Sequence, residues 1–458
     1  MKEEFRVLST TAILGYGFPV SSFEEGMKRK PHLIAVDAGS SDPGPYYLGA
    51  GQSFTDRGAV KRDLTIMLTA AMEHQIPVVI GTAGGSGADS HLDWCEEIIL
   101  EIAKENNLHF DMAKIHAEIP HEKVLDALKQ GKVLPLDPAP ELTEEMVNAT
   151  GAIVGQMGIE PIIKALDQGA QVVLAGRCYD PAVFAAPAVR AGYDQGLAVH
   201  MGKILECASI AATPGSGSDC MFGYLGEDYF RLEPLSSIRK CTTLSVAAHT
   251  LYEKTNPYIL PGPGGHLDLT GASFTQDTDR IAKVKGSKFI HSPAYTIKLE
   301  GARCIGYRTV SIAGARDPVM IEKIDEVIEG VKARVKDNFS QAGFEYNLLF
   351  KVYGRDGVMG GLEPQRTCEG HELGIVIEAV ADTQAHADTI CAAARSTMLH
   401  YGYEGRRATA GNLAFPYSPS DFHAGEVYVF SIYHIIQVDD PCELFPIEMV
   451  RVEGGQEA

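Results

Sequence analysis

The chain has 458 residues, 45% of them hydrophobic and 22% charged, the balance of a globular protein with a substantial core. A formal net charge of −20 with no basic stripe to offset it argues against a nucleic-acid partner, because such a surface repels a phosphate backbone. Nine cysteines, an odd number without a CxxC pair, argue for reduced thiols rather than a zinc knuckle or a disulfide framework.

The opening residues carry Lys2, Glu3, Glu4 and Arg6 instead of the apolar run of a signal peptide. No stretch approaches the ~18 apolar residues that span a bilayer. The expectation is a soluble, cytoplasmic protein. From there the chain alternates short apolar runs with helical patterns. Strands are predicted at residues 6–9 with 12–14, at 31–37 ending on Asp37, at 76–80 ending on Gly81, and at 171–175 ending on Gly176. These runs are continuous rather than alternating, as strands buried on both faces require. Helical patterns cover 60–74, 92–106 and 141–167, the last broken near Gly158 and Pro161. Such repetition implies a parallel sheet covered by helices.

The polar, weakly periodic stretch 270–292 predicts a boundary. Beyond it, strands are expected at 295–300, 308–313, 346–353 and 373–380, with helices at 318–338 and 383–400 and a strand pair at 427–438. The fold class is therefore α/β, with a parallel-sheet N-terminal domain (1–285) carrying helices on both faces. A smaller C-terminal α+β domain (286–458) follows.

Ligands of parallel sheets bind beyond the carboxyl ends of the strands, and polar residues cluster there. Asp37 opens the turn Ala38-Gly39-Ser40-Ser41-Asp42. It can serve as a general base, a metal ligand or a hydrogen-bond anchor, and Asp37 and Asp42 can equally cap turns. The run Gly81 to His91 contains Gly84, Gly85, Ser86 and Gly87, whose amides can converge on an anion at the start of a helix. It lacks a P-loop lysine, and the alternative is a glycine-lined turn with a helix cap. Gly176-Arg177-Cys178-Tyr179-Asp180 offers a guanidinium fork for a carboxylate, with Asp180 as its orienting partner or a helix cap.

His200, Lys203, Glu206 and Cys207 fall at helical spacing. A His with a Glu and a Lys can move protons at neutral pH, or form a solvated helical face. Cys220 shows no activating neighbour and reads as a buried thiol. His266 follows another glycine turn as a candidate acid or base. Arg355, Arg406, Arg407 and His423 read as structural.

The segments Gly15-Tyr16-Gly17-Phe18-Pro19, Asp37 through Gly49, Gly81 through Gly87, Gly176-Arg177 with Asp180, and His200 through Cys207 resemble the acyclic terpene utilisation protein A (AtuA) family over roughly residues 5–270. The resemblance implies catabolism of branched acyclic terpenes through acyl-CoA intermediates, or of diverse small acids, often beside a small companion protein. It supplies no catalytic residue set.

The leading expectation is a lyase, either a hydro-lyase (hydratase) or a carbon–carbon lyase, on a small hydroxy acid or acyl-CoA thioester. In it Asp37, His200, Lys203 and Glu206 are catalytic. Ser40, Ser41, Gly84, Gly85, Ser86, Gly87, Arg177 and Asp180 bind the anionic group and stabilise developing enolate charge. An isomerase or mutase uses the same groups, and a ligand-binding subunit that needs a companion is the non-catalytic alternative. No visible motif requires a cofactor, metal dependence is left open, and a homo-oligomer is expected.

Overall fold

The computed structural model describes residues 3–455 apart from 253, 366, 368, 369 and 408. Its contacts divide the chain into two units, Met1–Arg303 with Phe430–Ala458, and Cys304–Val429. The fold is mixed α/β, with one large mixed sheet and further antiparallel sheets.

In the first unit ten strands form one sheet, in the order 273–276, 282–285, 230–234, 221–225, 5–9, 33–37, 78–81, 172–175, 109–115 and 447–453. The five strands Phe5–Ser9, Leu33–Asp37, Val78–Gly81, Val172–Ala175 and His109–Ile115 run parallel. Antiparallel strands extend the sheet on both sides. The register sets Asp37 beside Gly81, Ile80 beside Leu174 and Ala175 beside Ile115, so the parallel strands end level.

Successive side chains on these strands feed two cores. Ile34, Val36, Val78, Ile80, Val172 and Leu174 pack under helices Val20–Lys28, Arg57–His74 and Asp89–Asn106. Leu33, Ala35, Val79, Val173 and Ala175 pack under Glu160–Asp167, Ala182–Arg190 and Gln195–Leu205. That two-sided burial is why the strand sequences are continuous apolar runs. Each Val, Leu or Ile so enclosed contributes roughly 1.5–3 kcal/mol. Asp56 and Asp194 start two of the helices, their carboxylates accepting from Ala59 N and Leu197 N at 2.9 Å.

Several elements differ from expectation. Residues 12–14 form a turn, with Leu14 N donating to Asp37 O. The pattern at 141–167 resolves into helix Glu144–Ala149, strand Ile153–Gly155 and helix Glu160–Asp167. The stretch 270–292 carries three short strands of the first unit. The division expected after residue 285 falls instead inside the long strand Tyr295–Ala315, because polarity there marks exposed hairpins rather than a linker. Residues 421–438 make one strand in place of a pair, and the closing strand Ile447–Glu453 has too little alternation to stand out.

In the second unit, Tyr346–Tyr353 pairs antiparallel with Leu373–Ala381, which pairs with residues 307–315. Helices Ile324–Asn338 and Gln384–His400 cover one face through Val327, Val331, Ile390 and Ala394. The helix expected over 318–338 is interrupted at Lys323. Every described cysteine is a free thiol, and Cys368 lies outside the described residues. Among the described residues no helix is long and apolar enough to cross a membrane.

Candidate active site

The turns at the carboxyl ends of the parallel strands interlock through their backbones. Ala38 N donates to Gly81 O (2.8 Å), Thr82 N to Gly176 O (3.1 Å), Ala83 N to Ala175 O (2.9 Å) and Arg177 N to Gly87 O (3.1 Å). Only glycine fits the closest approach. Gly87 has φ +70, and a Cβ there would stand 2.1 Å from Arg177 N. Turns from three separate strands therefore meet at one rim, and the side chains they carry define the candidate site.

Asp37 is 6% exposed, and its Oδ1 has no hydrogen-bond partner among the described residues. Burial, then the neighbouring carboxylates Asp180 and Glu206, push its pKa well above the ordinary carboxylate range, against the pull of Arg177. Glu206, also buried, accepts from Lys203 Nζ at 2.5 Å. Burial opposes the Lys203 charge, but Glu206 outweighs it and holds the ammonium protonated. Tyr179 contributes a buried phenol whose Oη has no partner among the described residues; burial and then Glu206 raise its pKa. Burial and the surrounding charges thus favour the protonated form of Asp37, while Glu206 is paired with Lys203, so the two carboxyl groups lie in contrasting environments.

Arg177 is 2% exposed and committed to protein groups. Its Nε donates to Glu300 Oε2 (2.7 Å), and its Nη1 to Asp180 Oδ1 (2.9 Å) and Cys178 O (2.7 Å). Glu300 accepts further from Ser41 Oγ (2.6 Å) and Lys298 Nζ (2.7 Å). Burial works against its charge, yet Arg177 and Lys298 outweigh that and hold its pKa down at about 2. Arg177, Asp180 and Ser41 are thus tied into a buried ionic network that fixes the rim, instead of an open carboxylate clamp.

The glycine turn also differs from expectation. Residues 81–88 are buried, and the amides of Ala83, Gly85 and Gly87 are spent on Ala175 O, Thr82 O and Ala83 O. Gly84 and Gly85 are enclosed by His91 and Phe54. These three amides are engaged within the turn and with the neighbouring strand. Ser86 keeps a buried Oγ with no hydrogen-bond partner among the described residues. Ser40 Oγ accepts from Asp42 N (3.2 Å), an ordinary local turn.

His200 is the clearest correction. It is fully buried, with Nδ1 2.5 Å from Ser287 Oγ, Nε2 3.0 Å from Thr250 Oγ1, and its ring edge-on to Phe230 and Phe274. Burial, then Lys254 and His249, lower its pKa to about 3. With both nitrogens engaged inside the packing, it is a core histidine and not an acid or base at the rim. Cys220 is buried with its thiol pushed well up, as expected. His266 sits in a hairpin opposite Pro261 and Ile290.

Sequence reasoning missed Glu300, Lys298, Tyr179, His249 and Lys254. Tyr179 lay between two residues that were singled out and carried the signal of the turn itself. Glu300 sits mid-strand and His249 on an ordinary helix, and neither has a local cue. Among the described residues no group of three or more His, Cys, Asp or Glu is placed to hold a metal ion.

No curated protein and no solved structure is a significant match to the chain. The model of the acyclic terpene utilisation family AtuA matches residues 56–219 and 237–421. Arg177, Tyr179, Asp180, Lys203, Glu206, Lys254 and Glu300 fall inside the matched segments, whereas Asp37 and its turn precede them. With well over half its length matched, the chain belongs to the acyclic terpene utilisation family AtuA.

Proposed function

We propose that this protein is a catabolic enzyme of acyclic terpene utilisation that works by acid/base chemistry, most simply a lyase on a small hydroxy acid or its acyl-CoA thioester. The observation that carries this reading is the group of carboxylates Asp37, Asp180 and Glu206 at the rim of the parallel sheet, of which Asp37 and Glu206 are buried, with the Asp37 pKa pushed up by burial and then by the other two. A buried carboxylate with a raised pKa, such as Asp37, is common where protons are moved. In a dehydration, Glu206 takes the proton α to the carbonyl and Asp37 protonates the departing hydroxyl. The C–O bond breaks, water leaves and a C=C bond forms. Lys203 supplies positive charge beside the developing enolate. Arg177 and Glu300 hold the Asp180 turn in place.

The test is solvent exchange. Wild-type protein is incubated in D2O with branched hydroxy acids and their CoA thioesters, and mass spectrometry follows deuterium entering the α-carbon and loss of water. Exchange that falls at least about 100-fold in both Asp37→Asn and Glu206→Gln, with folding retained, supports the reading. Exchange unchanged in both variants rejects it.

A further inference from the structure

Arg6 and His32 stand at the amino ends of two neighbouring parallel strands, opposite the Asp37 rim. His32 N donates to Arg6 O (2.8 Å), and Arg6 N donates to His32 Nδ1 (3.0 Å). A backbone N–H only donates, so Nδ1 carries the lone pair and the neutral ring holds its proton on Nε2. A second proton on Nδ1 would face that same N–H. Arg6 Nη2 lies 3.0 Å from His32 Nε2. Arginine has no acceptor, so this contact sets one N–H donor against another. The rest of the guanidinium is committed, with Nε donating to Lys30 O (2.7 Å) and Nη1 to Glu3 Oε1 (2.9 Å). Arg6 Nη2 and His32 Nε2 are therefore two converging donors with no acceptor between them among the described residues.

Both residues line one cavity of about 550 Å³, together with Lys28, Lys30 and His74. No carboxylate lines it among the described residues. Glu3 and Glu25 pair with Arg6 and Lys28 from outside, with side chains 74% and 43% exposed, where solvent weakens such pairs. Lys28 and His74 close the last turns of two helices and offset their dipoles there. Arg6 and His32 belong to strands and serve no helix. A chain of net charge −20 repels small anions in general, so a cavity bearing three cationic chains and two imidazoles is a local exception. His32 also lines a second cleft of about 540 Å³ with Phe5, Leu166 and Pro187, and the Phe5 ring lies 5.3 Å from the imidazole. A basic cavity and a more apolar one thus adjoin at His32.

We propose that Arg6 Nη2 and His32 Nε2–H bind two oxygens of one phosphate group in this cavity, and that the ligand is a phosphate monoester whose apolar body lies past His32 in the adjoining cleft. A carboxylate would spend both its oxygens on Arg6 and His32 and leave Lys28, Lys30 and His74 nothing to bind. A phosphate monoester carries three acceptor oxygens and close to two charges at neutral pH. The site lies at the end of the strands away from the candidate active site, so it is a second site and not part of the proton-transfer machinery.

The probes are phenyl phosphate, inorganic phosphate and benzoate, titrated calorimetrically into the intact protein at pH 7.5 and low salt. Phenyl phosphate is expected to bind saturably, and both inorganic phosphate and benzoate about tenfold or more weakly. His32→Asn keeps an acceptor for Arg6 N and removes the Nε2 donor, so it weakens phenyl phosphate binding about tenfold. Arg6→Met weakens it at least as much and carries the test where His32→Asn does not fold. Asp37→Asn, altered at the other end of the strands, binds phenyl phosphate as the wild type does. A 15N spectrum of histidine-labelled wild-type protein reads His32 as the Nε2–H tautomer, with that N–H shifting when phenyl phosphate is added. No saturable binding of phenyl phosphate, or benzoate binding equally well, overturns the phosphate site. Unchanged affinity in Arg6→Met, lost affinity in Asp37→Asn, or an Nδ1–H tautomer overturns its placement at Arg6 and His32. Inorganic phosphate binding as tightly as phenyl phosphate overturns the role of the adjoining cleft.

Discussion

Replacing Asp37 with Asn should stabilise the protein while disabling it. The carboxyl is 6% exposed, and burial, then Asp180 and Glu206, raise its folded pKa well above the ordinary carboxylate range, whereas in the unfolded chain it ionises near pH 3.9. Above pH 3.9 the unfolded state therefore binds fewer protons than the folded one, and stability falls as pH rises toward the folded pKa. The slope is about 1.4 kcal/mol per pH unit for one proton. Asparagine has the same shape and no ionisation to suppress. The stability difference between Asp37→Asn and wild type should therefore be small at pH 4 and grow as pH rises toward the folded pKa, by at most about 1.4 kcal/mol per pH unit. Urea unfolding of both proteins at pH 4, 5, 6 and 7 measures it, alongside the α-proton exchange, which should fall at least about 100-fold. A stability difference that does not change with pH would refute the claim that folding raises the Asp37 pKa. A variant less stable than wild type at every pH would refute it equally.

Glu300→Gln removes the partner of a buried Arg177 and should cost about 3–5 kcal/mol at pH 7 by denaturant unfolding. Because the Glu300 pKa is depressed to about 2, its contribution is present above the unfolded value of roughly 4.3 and fades as pH falls through that window. His200→Gln should lower the unfolding midpoint yet leave kcat/KM of the folded protein within about threefold, since both ring nitrogens bond to packed hydroxyls. With a folded pKa of about 3, neutral His200 opposes acid. Wild-type stability should drop as pH falls below about 6.5, and the variant should lose that component of the slope. Gly87→Ala places a methyl 2.1 Å from Arg177 N at φ +70 and should destabilise by several kcal/mol or abolish soluble expression.

What the sequence determined by itself is the central sheet and where its ligand edge lies. The runs at 33–37, 78–81 and 172–175 are apolar on both faces, as a helix-covered parallel strand requires; the first ends on Asp37, the second on Gly81, and Gly176 follows the third. The rim at Asp37, Gly81 and Gly176 was therefore legible from local pattern alone. The fate of each rim group was decided by tertiary structure. Arg177 looked like an open fork until Glu300, 123 residues away, took its Nε. The glycine turn read as an anion cradle, and the structure engages its Ala83, Gly85 and Gly87 amides with Ala175, Thr82 and Ala83. His200 shared a helical face with Lys203, yet the helix turned it into Ser287 and Thr250. Periodicity reports which face of an element is apolar, but a polar side chain's role depends on whether a distant partner satisfies it. That partner is supplied by chain topology, of which no short window of sequence carries a trace.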